Sequence, residues 1–451
     1  MIIGKIKKIL LWGGDIAVLY LALFLTLLIR YENTWPKQWH IHLIPFTIIY
    51  FSALLVFYII GLYDITLARN NLYFFLTLVK ALVINAAMAI SFFYFIPYFG
   101  ITPKTNLFIN LIIFAALFIG WRQLYNHLIK TPTLLNNVLV LGQNQESKEL
   151  IQYIKNNPQL GYHIKKIAEI DEVKILYDLI EVLIQEKIQV VVTTINPYKD
   201  TNLVRNLYQC IPLKITVVDL PTFYEKITGK IPVSAIEEIW FLENLMTEQK
   251  AFFEGTKRIF DIIFSLTLGL ITLVLIPFFY LIIKLDSSGS LLIRQKRVGR
   301  DNRIFELIKL RSMFALAPDG SAEKNGAQWT KEKDKRVTRV GKWLRKTRLD
   351  ELPQLWNVLK GEISFVGPRP ERPEFAFSND LLSKIPFYQI RHTIKPGLTG
   401  WAQIKYPYGS SVEDTLQKLQ YDLYYIKNRS LILDLAVILK TIKIVLSGGG
   451  R

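Results

Sequence analysis

Two adjacent carboxylates, Asp350 and Glu351, lie inside a strongly basic stretch of the chain. The stretch reads Arg345-Lys346-Thr347-Arg348-Leu349-Asp350-Glu351-Leu352-Pro353-Gln354-Leu355. A carboxylate can serve as a nucleophile or as a metal ligand, and neighbouring cations can bind phosphate groups. This pair is therefore the strongest candidate in the sequence for chemistry on an anionic substrate.

A helix is expected to begin at this pair. Pro353 suits the first turn of a helix, and Gly361 suits its C-terminal stop. Asp350 would then be the N-cap residue, with its side chain at the positive end of the helix dipole. That position would keep Asp350 ionised, beside backbone N–H groups that also suit phosphate. An N-cap without any catalytic role is the simpler interpretation of an isolated aspartate.

Cations on a predicted strand are the next candidates. Residues 303–313 have the pattern of a strand, in which alternate side chains share a face, so Lys309 and Arg311 would point the same way. Two cations on one face could hold a diphosphate. A solvated strand edge explains the same pattern equally well.

A stiff loop follows the predicted helix. Residues 364–370 end in Gly-Pro-Arg-Pro, and the two prolines would hold Arg369 in a fixed position. A rigid arginine could be a phosphate ligand, or an exposed residue of an ordinary turn. Asp422 lies on a later predicted helix and could be structural or a metal ligand.

Charge and hydropathy divide the chain into unlike parts. It has 451 residues, which suggests two or three domains, and 51% of them are hydrophobic. The net charge is +18, and residues 257–451 hold 33 Lys and Arg against 18 Asp and Glu. A basic part joined to an apolar part indicates an anionic membrane surface or an anionic substrate. No nucleic-acid-binding motif accompanies the charge, so nucleic acid is not an expected partner.

Cysteine chemistry is almost excluded. Cys210 is the single cysteine, so the chain can form neither an intrachain disulfide nor a cysteine-based metal site. This composition suits polar domains in a reducing compartment.

Four apolar stretches in the first part of the chain have the length of membrane spans, about 20 residues each. They are residues 9–29, 43–62, 72–96 and 107–124. Lysines before the first span predict a cytoplasmic N-terminus, and four crossings return the chain to that side. Asp15 lies near a span end and Lys80 could extend to the interface, so both are interpreted as structural.

Strands and helices alternate after the fourth span, which predicts a Rossmann-like parallel α/β domain. Strands are expected at 137–142, 163–168, 188–193 and 214–218, and helices at 146–156, 173–187 and 200–209. The first strand ends at Gly142, but the second and third glycines of a dinucleotide fingerprint are missing. Nucleotide binding is therefore not expected in this domain.

A fifth apolar run, at 257–285, contains Pro277 and has cations at both ends. A through-crossing would carry the basic domain to the outside, against the positive-inside rule. We therefore expect a helix–break–helix hairpin, with its break at Pro277, that enters and leaves the membrane on one face. A plain fifth crossing is the alternative.

Four motifs occur in a fixed order along the basic part. They are Lys309-Leu310-Arg311-Ser312-Met313, Leu349-Asp350-Glu351-Leu352-Pro353-Gln354-Leu355, Gly367-Pro368-Arg369-Pro370 and Pro396-Gly397-Leu398-Thr399-Gly400-Trp401. From Lys257 to the C-terminus the chain resembles the bacterial sugar transferases, or polyprenyl-phosphate phosphoglycosyl transferases. It departs from the family pattern at Leu310, where phenylalanine is usual and another apolar residue should serve.

The resemblance extends to the larger members of this family. It implies an α+β membrane protein with a four-helix transmembrane bundle at 1–130 and a Rossmann-like domain at 131–250. Residues 251–451 would be the catalytic domain, which includes the re-entrant helix hairpin.

The resemblance also implies an activity, namely transfer of a sugar-1-phosphate from a UDP-sugar to undecaprenyl phosphate with release of UMP. Such a reaction starts an exopolysaccharide or O-antigen repeat at the cytoplasmic face of the bacterial inner membrane. Asp350 would be the nucleophile and Glu351 would position metal or phosphate. The implied phosphate-binding residues are Lys309, Arg311, Arg348 and Arg369, and the implied Mg²⁺ ligands are Asp350, Glu351 and Asp422. A homodimer is compatible with this reading.

Two other classes of protein were compared with these observations. A membrane-bound NAD-dependent nucleotide-sugar dehydratase should carry the full glycine fingerprint and a Tyr-x-x-x-Lys pair on a late helix, whereas Tyr162 and Lys166 lie in a predicted loop-to-strand region. A non-catalytic membrane scaffold would not need adjacent carboxylates among phosphate-binding cations. Both are less consistent with the sequence than the transferase.

Overall fold

The computed structural model describes residues 2–96, 104–129, 131, 135–168, 177–194, 201–208, 210–245, 250–317, 322, 334–406, 409 and 411–448. The chain forms two compact units, Met1–Phe223 and Tyr224–Arg451. Helices, a parallel sheet and small strand pairs together make an α+β membrane protein, as the sequence predicts. The predicted three-domain boundaries stay a prediction.

The first unit opens with four long apolar helices. They are α1 (Ile2–Tyr31), α2 (Trp35–Ile60), α3 (Leu72–Phe95) and α4 (Lys104–Leu128). Among the described residues, four helical segments are long and apolar enough to cross a membrane: Ile6–Ile60, Leu72–Phe95, Thr105–Leu128 and, in the second unit, Phe252–Asp286. The first of these segments contains both α1 and α2, so the four predicted N-terminal spans are found as the helices α1 to α4.

The buried charge in α1 has a structural partner. Arg122 Nη2 donates to Asp15 Oδ2 at 2.6 Å, and Trp121 Nε1 donates to Asp15 Oδ1 at 3.1 Å. Both charged side chains are fully buried, so each charge compensates the other in the helix bundle. The ion pair agrees with the structural interpretation of Asp15, and Lys80 is exposed, as an interfacial lysine should be.

A parallel four-stranded sheet follows in the same unit, in the order β2–β1–β3–β4. Its strands are β1 (Asn136–Leu141), β2 (Tyr162–Ala168), β3 (Val190–Thr193) and β4 (Thr216–Asp219). Its helices are α5 (Gln145–Asn156), α6 (Tyr177–Gln185) and α7 (Thr201–Tyr208), and α8 (Leu220–Thr228), which follows β4, contains the boundary between the two units. The alternation confirms the predicted Rossmann-like pattern, although residues 173–176, 200 and 209 of the predicted helices lie outside the described residues.

The start of α5 is closed by its own side chains. Asn144 Oδ1 accepts a hydrogen bond from the Ser147 amide at 2.8 Å, and Ser147 Oγ accepts one from the Asn144 amide at 2.9 Å. This capping box uses N–H groups that would otherwise be open to a phosphate. The arrangement agrees with the missing glycines in disfavouring a dinucleotide site.

The second unit contains the basic part of the chain. Its helices are α9 (Glu238–Leu245), α10 (Lys250–Asp286), α11 (Arg339–Lys346), α12 (Leu355–Lys360), α13 (Pro373–Ala376), α14 (Asn379–Lys384), α15 (Trp401–Lys405), α16 (Val412–Asn428) and α17 (Leu431–Leu446). Strands β5 (Leu292–Val298) and β6 (Ile304–Leu310) form an antiparallel hairpin, and β7 (Ser364–Val366) pairs in parallel with β8 (Gly397–Thr399). One apolar core joins α9, α12, β7, α16 and α17.

The long helix α10 runs without interruption through Pro277. The predicted break of secondary structure at Pro277 is therefore not found. Proline has a helical φ and removes only one backbone hydrogen bond, and an apolar surrounding favours keeping the remaining bonds in a helix.

Both ends of α10 nevertheless bind the same polar domain. Near the first end, Arg258 donates to the Val358 and Leu359 carbonyls at 2.6 Å each. At the other end, Asp286 Oδ2 accepts a hydrogen bond from the Val340 amide at 2.9 Å. Because both ends of α10 are held by helices of the same polar domain, re-entry is favoured over a crossing. Re-entry itself stays a prediction.

Cysteine labelling can test re-entry. Cys210 is buried and would be replaced by alanine to give a cysteine-free background. We expect Gly255→Cys and Ser288→Cys to react with a membrane-impermeant maleimide from the same side of the membrane. A side chain at Gly255 meets open space and Ser288 is exposed, so neither change should disturb packing. The measurement is the mass shift on labelling of spheroplasts before and after lysis.

Gly269→Cys is the matched control, because a side chain there also meets open space but lies in the middle of the helix. We expect it to stay unlabelled under both conditions, since the reagent does not enter the apolar core of the bilayer. Labelling of the two end positions from opposite sides would contradict re-entry and favour a fifth crossing.

Candidate functional site

Asp350 and Glu351 lie on a 3-10 turn, Leu349–Gln354, which begins after Arg348. Arg348 has φ 55° and ψ 19°, a left-handed backbone that is costly for a side chain of this size. No side-chain cap bond closes the turn, and α12 begins only after it ends. The predicted N-cap role of Asp350 is therefore wrong, because the carboxylates precede the α-helix as part of a tighter turn. Gly361 does end α12, in the left-handed conformation, as predicted.

Glu351 is fixed by two arginines. Arg369 Nη2 donates to Glu351 Oε1 at 2.9 Å, and Arg348 Nη1 lies 3.6 Å from Glu351 Oε2. Burial alone would raise the pKa of Glu351, but the charges of Arg369, Arg348 and Lys309 outweigh it and lower that pKa to about 2. Glu351 is consequently ionised at neutral pH.

Asp350 differs from its neighbour. Among the described residues it takes part in no ion pair within 4 Å, in contrast to Glu351. Burial first, and the charge of Glu351 second, raise the pKa of Asp350 to about 7, although Lys309, Arg345 and Arg369 oppose the rise. The expectation of a carboxylate held ionised by a helix terminus is therefore wrong. A buried group that titrates near neutrality is typical of a reactive carboxylate.

Lys309 lies on β6 and takes part in the same electrostatic group. Burial, together with the charges of Arg297 and Arg369, lowers the pKa of Lys309 to about 7, and Glu351 and Asp350 act in the opposite direction. Its predicted place beside the carboxylates is in line with these interactions. A buried lysine among other cations binds an added anion strongly, because the anion neutralises positive charge that water does not solvate.

Asn357 holds this strand against the turn. Its side chain is fully buried, and Oδ1 accepts a hydrogen bond from the Ile308 amide at 3.1 Å. Its Nδ2 donates to the Glu306 carbonyl at 2.7 Å and to the Glu362 carboxylate at 2.6 Å. Asn357 thus replaces a neighbouring strand at the open edge of β6 and sets the position of Lys309 relative to Asp350.

Arg369 projects from the loop that follows β7. The pairing of β7 with β8 brings Gly367 and Gly397 together, and a Cβ at either residue would clash with backbone atoms of the opposite segment. The glycines of both motifs therefore serve close backbone approach. This approach fixes the start of the loop from which Arg369 reaches Glu351.

Arg311 lies elsewhere. Strand β6 ends at Leu310, so the predicted alternation of Lys309 and Arg311 on one strand face is wrong. Arg311 is buried, and its Nη2 donates to the carbonyl oxygens of Ser287 at 2.6 Å and Ile283 at 3.4 Å, at the end of α10. The Arg311 side chain therefore binds carbonyl oxygens at the C-terminal end of α10, where the last carbonyl groups of a helix lack a helical partner. Leu310 packs into a small apolar cluster with Phe279 and Leu344.

Asp422 is also not part of the carboxylate pair. It forms a buried ion pair with Arg391, in which Oδ2 lies 2.9 Å from Nη2. Burial raises the pKa of Asp422 to about 6, against the charge of Arg391. Within the described part of the chain, no three His, Cys, Asp or Glu side chains form a group that could hold a metal. The predicted ligand set of Asp350, Glu351 and Asp422 is therefore not brought together.

A magnesium ion remains compatible with Asp350 and Glu351 alone. Magnesium commonly takes one or two protein carboxylates and completes its octahedron with substrate phosphates and water. Asp350 has no ion-pair partner among the described residues, and Glu351 is ionised but shared with two arginines. The donor set therefore fits a metal that arrives with the substrate better than a resident one.

Two arginines were missed at the sequence level. The charge of Arg297 contributes to the low pKa of Lys309, and Arg297 Nη1 donates to the Pro370 carbonyl at 3.3 Å. The charge of Arg345 lowers the pKa of Asp350 and so opposes the effect of burial. Arg297 pairs with Phe305 across the hairpin, so it shares a face with Lys309, and this alternation could have revealed it.

Comparison with known proteins supports a relationship to sugar transferases. A family model described as bacterial sugar transferase matches residues 252–448. A UDP-N-acetylgalactosamine-undecaprenyl-phosphate N-acetylgalactosaminephosphotransferase from Aeromonas hydrophila is 40% identical over 253 residues, which are 54% of this chain and 56% of that protein. A UDP-glucose:undecaprenyl-phosphate glucose-1-phosphate transferase from Caulobacter vibrioides is 38% identical over 195 residues, 42% of this chain and 70% of that protein.

A shorter relative decides the matter. The exopolysaccharide production protein PSS of Rhizobium leguminosarum is 38% identical over 196 residues, which are 43% of this chain and 96% of that protein. The chain belongs to the bacterial sugar transferase family. The alignment covers nearly the whole length of this short relative. By contrast, the chain spans only 56%, about half, of the length of the Aeromonas protein. The segment that matches the family model contains every residue of the site described above.

Replacing Asn357 by alanine should loosen β6 in this family member. The change leaves the Ile308 amide and the Glu306 carbonyl without their buried partner, at a cost of about 3 kcal/mol. Hydrogen exchange measured by mass spectrometry should therefore be about a hundredfold faster in the peptide that contains residues 304–310.

Asn244→Ala is the matched control, because among the described residues the hydrogen bond of its side chain is a local one, to the Trp240 carbonyl at 2.9 Å. It should leave the exchange of residues 304–310 unchanged. Unaltered exchange in Asn357→Ala would contradict the role of Asn357 as the support of β6.

Proposed function

We propose that this protein transfers a sugar-1-phosphate from a UDP-sugar to undecaprenyl phosphate and releases UMP. The observation that carries the proposal is the unequal pair of carboxylates. Glu351 is locked by Arg369 and Arg348, whereas Asp350 has no ion-pair partner among the described residues and titrates near neutrality. The names of the Aeromonas and Caulobacter relatives, which act on undecaprenyl phosphate, support the same reaction.

The reaction is proposed to proceed in two displacements. In the first, a carboxylate oxygen of Asp350 attacks the phosphorus that bears the sugar, and the bond to the bridging oxygen breaks. UMP leaves with that electron pair, and the phosphosugar stays on Asp350 as an acyl phosphate. In the second, a phosphate oxygen of undecaprenyl phosphate attacks the same phosphorus. The bond to Asp350 breaks, which yields the diphosphate-linked sugar lipid and the free carboxylate.

The surrounding cations would stabilise the charge that accumulates in each displacement. Lys309 and Arg369 act electrostatically on both carboxylates, Arg345 acts on Asp350, and Arg348 acts on Glu351. Positively charged groups that are already oriented lower the barrier for phosphoryl transfer, because no reorganisation is needed as charge moves. Both attacking groups are anions, so a strong general base is not required.

Glu351 is proposed to orient these cations. It holds Arg369 at 2.9 Å and Arg348 at 3.6 Å, so two guanidinium groups are held beside Asp350. A magnesium ion held by Asp350 or Glu351 together with diphosphate oxygens would supply further neutralisation of negative charge.

The membrane location follows from the same proposal. Undecaprenyl phosphate is confined to the bilayer, whereas a nucleotide sugar is soluble, so the site must lie at the membrane surface. Helix α10 carries an exposed apolar surface along its middle, and both of its ends bind the polar domain. We place this domain at the cytoplasmic face of the inner membrane. The proposed donor is a UDP-hexose, either plain or N-acetylated, because the relatives' names include both glucose and N-acetylgalactosamine.

Asp350→Asn tests the nucleophile. We expect UMP release from a UDP-sugar in the presence of undecaprenyl phosphate and magnesium to fall by at least about a thousandfold, because an amide is a poor nucleophile. The exchange of radiolabelled UMP into UDP-sugar, measured without the lipid, should also disappear. That exchange reports the first displacement alone.

Asp301→Asn is the matched control, since Asp301 is an exposed aspartate on the β5–β6 turn. Its φ of 55° also suits asparagine, so the change should not strain the turn. It should keep normal UMP release. Normal release by Asp350→Asn would show that Asp350 is not the nucleophile, and wild-type turnover without lipid-independent exchange would favour direct transfer.

The pH dependence of kcat/KM provides a separate test. Because the pKa of Asp350 is raised to about 7, the reactive carboxylate should be lost as the pH falls below neutrality. Because the pKa of Lys309 is lowered to about 7, its charge should be lost as the pH rises above neutrality. We therefore expect a narrow bell-shaped profile centred near pH 7, with limbs that belong to the coupled pair.

Lys309→Arg should keep the acid limb and remove the alkaline limb, since arginine does not deprotonate in this range. The measurement is UMP release across pH 5 to 10 in buffers of about constant ionic strength. A profile that is flat from pH 5 to 9 in the wild-type protein would contradict both assignments.

A further inference from the structure

A buried ion pair lies behind the cationic site. Arg391 belongs to a 3-10 turn, Tyr388–Thr393, and Asp422 belongs to α16. Arg391 Nη2 lies 2.9 Å from Asp422 Oδ2, and both side chains are almost completely buried. Arg391 Nη1 also donates to the Tyr388 hydroxyl at 2.9 Å and lies 3.8 Å from Glu371 Oε1.

Arg391 is connected to the proposed active site through a backbone atom. Its Nη2 donates a hydrogen bond to the Arg369 carbonyl at 3.0 Å. The guanidinium of that same Arg369 donates to Glu351 at 2.9 Å. Consecutive contacts therefore run from Asp422 through Arg391 and Arg369 to Glu351.

Burial decides what kind of role Arg391 can have. The Arg391 side chain is 4% exposed, so it cannot reach a substrate phosphate, whereas the Arg369 side chain is 36% exposed. Burying two charges has a large desolvation cost that an ion pair only partly offsets. A well-packed apolar pair would hold the core at least as well, so stability alone gives little reason for this arrangement. An oriented guanidinium can instead fix a carbonyl oxygen with directional hydrogen bonds.

The turn that carries Arg391 supports a second part of the site. His392 Nδ1 lies 2.7 Å from Asn302 Oδ1, on the turn of the β5–β6 hairpin that bears Lys309. The turn therefore contacts the loop of Arg369 on one side and the hairpin on the other. Its own position is set by Asp422 on the long helix α16.

We propose that the Arg391–Asp422 ion pair is a positioning unit that holds the Arg369 backbone so that the Arg369 guanidinium reaches Glu351 and the substrate diphosphate. This inference rests on the proposed function. It assigns to Asp422 a role through Arg391, in place of metal binding. Neither residue touches the reacting atoms, so their effect on turnover passes through Arg369.

A double-mutant cycle tests this dependence. Arg391→Lys keeps the charge but cannot contact Asp422, Tyr388 and the Arg369 carbonyl together. We expect kcat/KM for UMP release to fall at least about tenfold in the wild-type background and less than about twofold in an Arg369→Ala background. A merely structural role would lower both backgrounds by the same factor, and that result would overturn the proposal.

Binding of UDP, measured by isothermal titration calorimetry, gives the same cycle without turnover. This binding measurement serves if Arg369→Ala turns over too slowly to assay. We expect Arg391→Lys to change the Kd for UDP less in the Arg369→Ala background than in the wild-type background. Equal effects in both backgrounds would again overturn the proposal. Asp422→Asn, which is nearly isosteric, provides a second variant of the pair and should behave like Arg391→Lys.

Arg429→Lys is the matched control, because Arg429 forms an ion pair with Glu254, a residue of α10 rather than of the turn that carries Arg391. It should leave UMP release and UDP binding unchanged. Failure of the wild-type protein to release UMP would refute the proposed function. Normal wild-type release with independent losses in the cycle would refute the positioning role alone.

Discussion

The ion pair between Arg369 and Glu351 is the interaction on which the arrangement of this site depends. It joins two segments that are distant in the chain, the 3-10 turn of the carboxylates and the loop after β7. Burial would raise the pKa of Glu351, but the charges of Arg369 and Arg348 outweigh that effect, so Glu351 stays ionised. The adjacent Asp350 experiences the same burial and the charge of Glu351 but has less compensation, so its pKa rises. Two chemically similar carboxylates thereby acquire different properties, a division that acid–base and covalent catalysts commonly use.

The scaffold around this pair consists of short elements that side chains fasten together. Asn357 takes the place of a missing strand along β6, and Gly367 and Gly397 permit the close approach of β7 and β8. Arg258 and Arg311 bind carbonyl oxygens at helix ends. These two cations therefore have structural contacts, and other cations surround the carboxylate pair. A basic composition alone therefore overstates how many cations can meet a phosphate. The relevant ones are those that burial and geometry direct to the same point.

The long helix α10 relates this polar site to the membrane. Much of its middle is apolar and exposed, whereas Lys257 and Asp261 at one end make buried polar contacts with the domain, and Arg258 makes partly buried ones. Lys257 pairs with Asp434 on α17, and Asp261 accepts hydrogen bonds from the Ser364 hydroxyl and the Phe365 amide, at the start of β7. The strand that leads to Arg369 is thus fastened directly to the membrane helix. This connection gives a physical reason for the polar site to lie close to the membrane.

The sequence by itself determined the apolar helices, the alternating Rossmann-like sheet, the end of α12 at Gly361 and the chemical candidates Asp350, Glu351, Lys309 and Arg369. These features follow from local periodicity, turn chemistry and motif spacing, which neighbouring residues encode. Only the tertiary structure decided that Asp350 lies on a 3-10 turn, that Arg311 binds the end of α10, that Asp422 pairs with Arg391, and that Arg297 and Arg345 act on the site. The pKa values of the two carboxylates belong to this second group, because burial and distant charges set them, and a linear pattern contains neither.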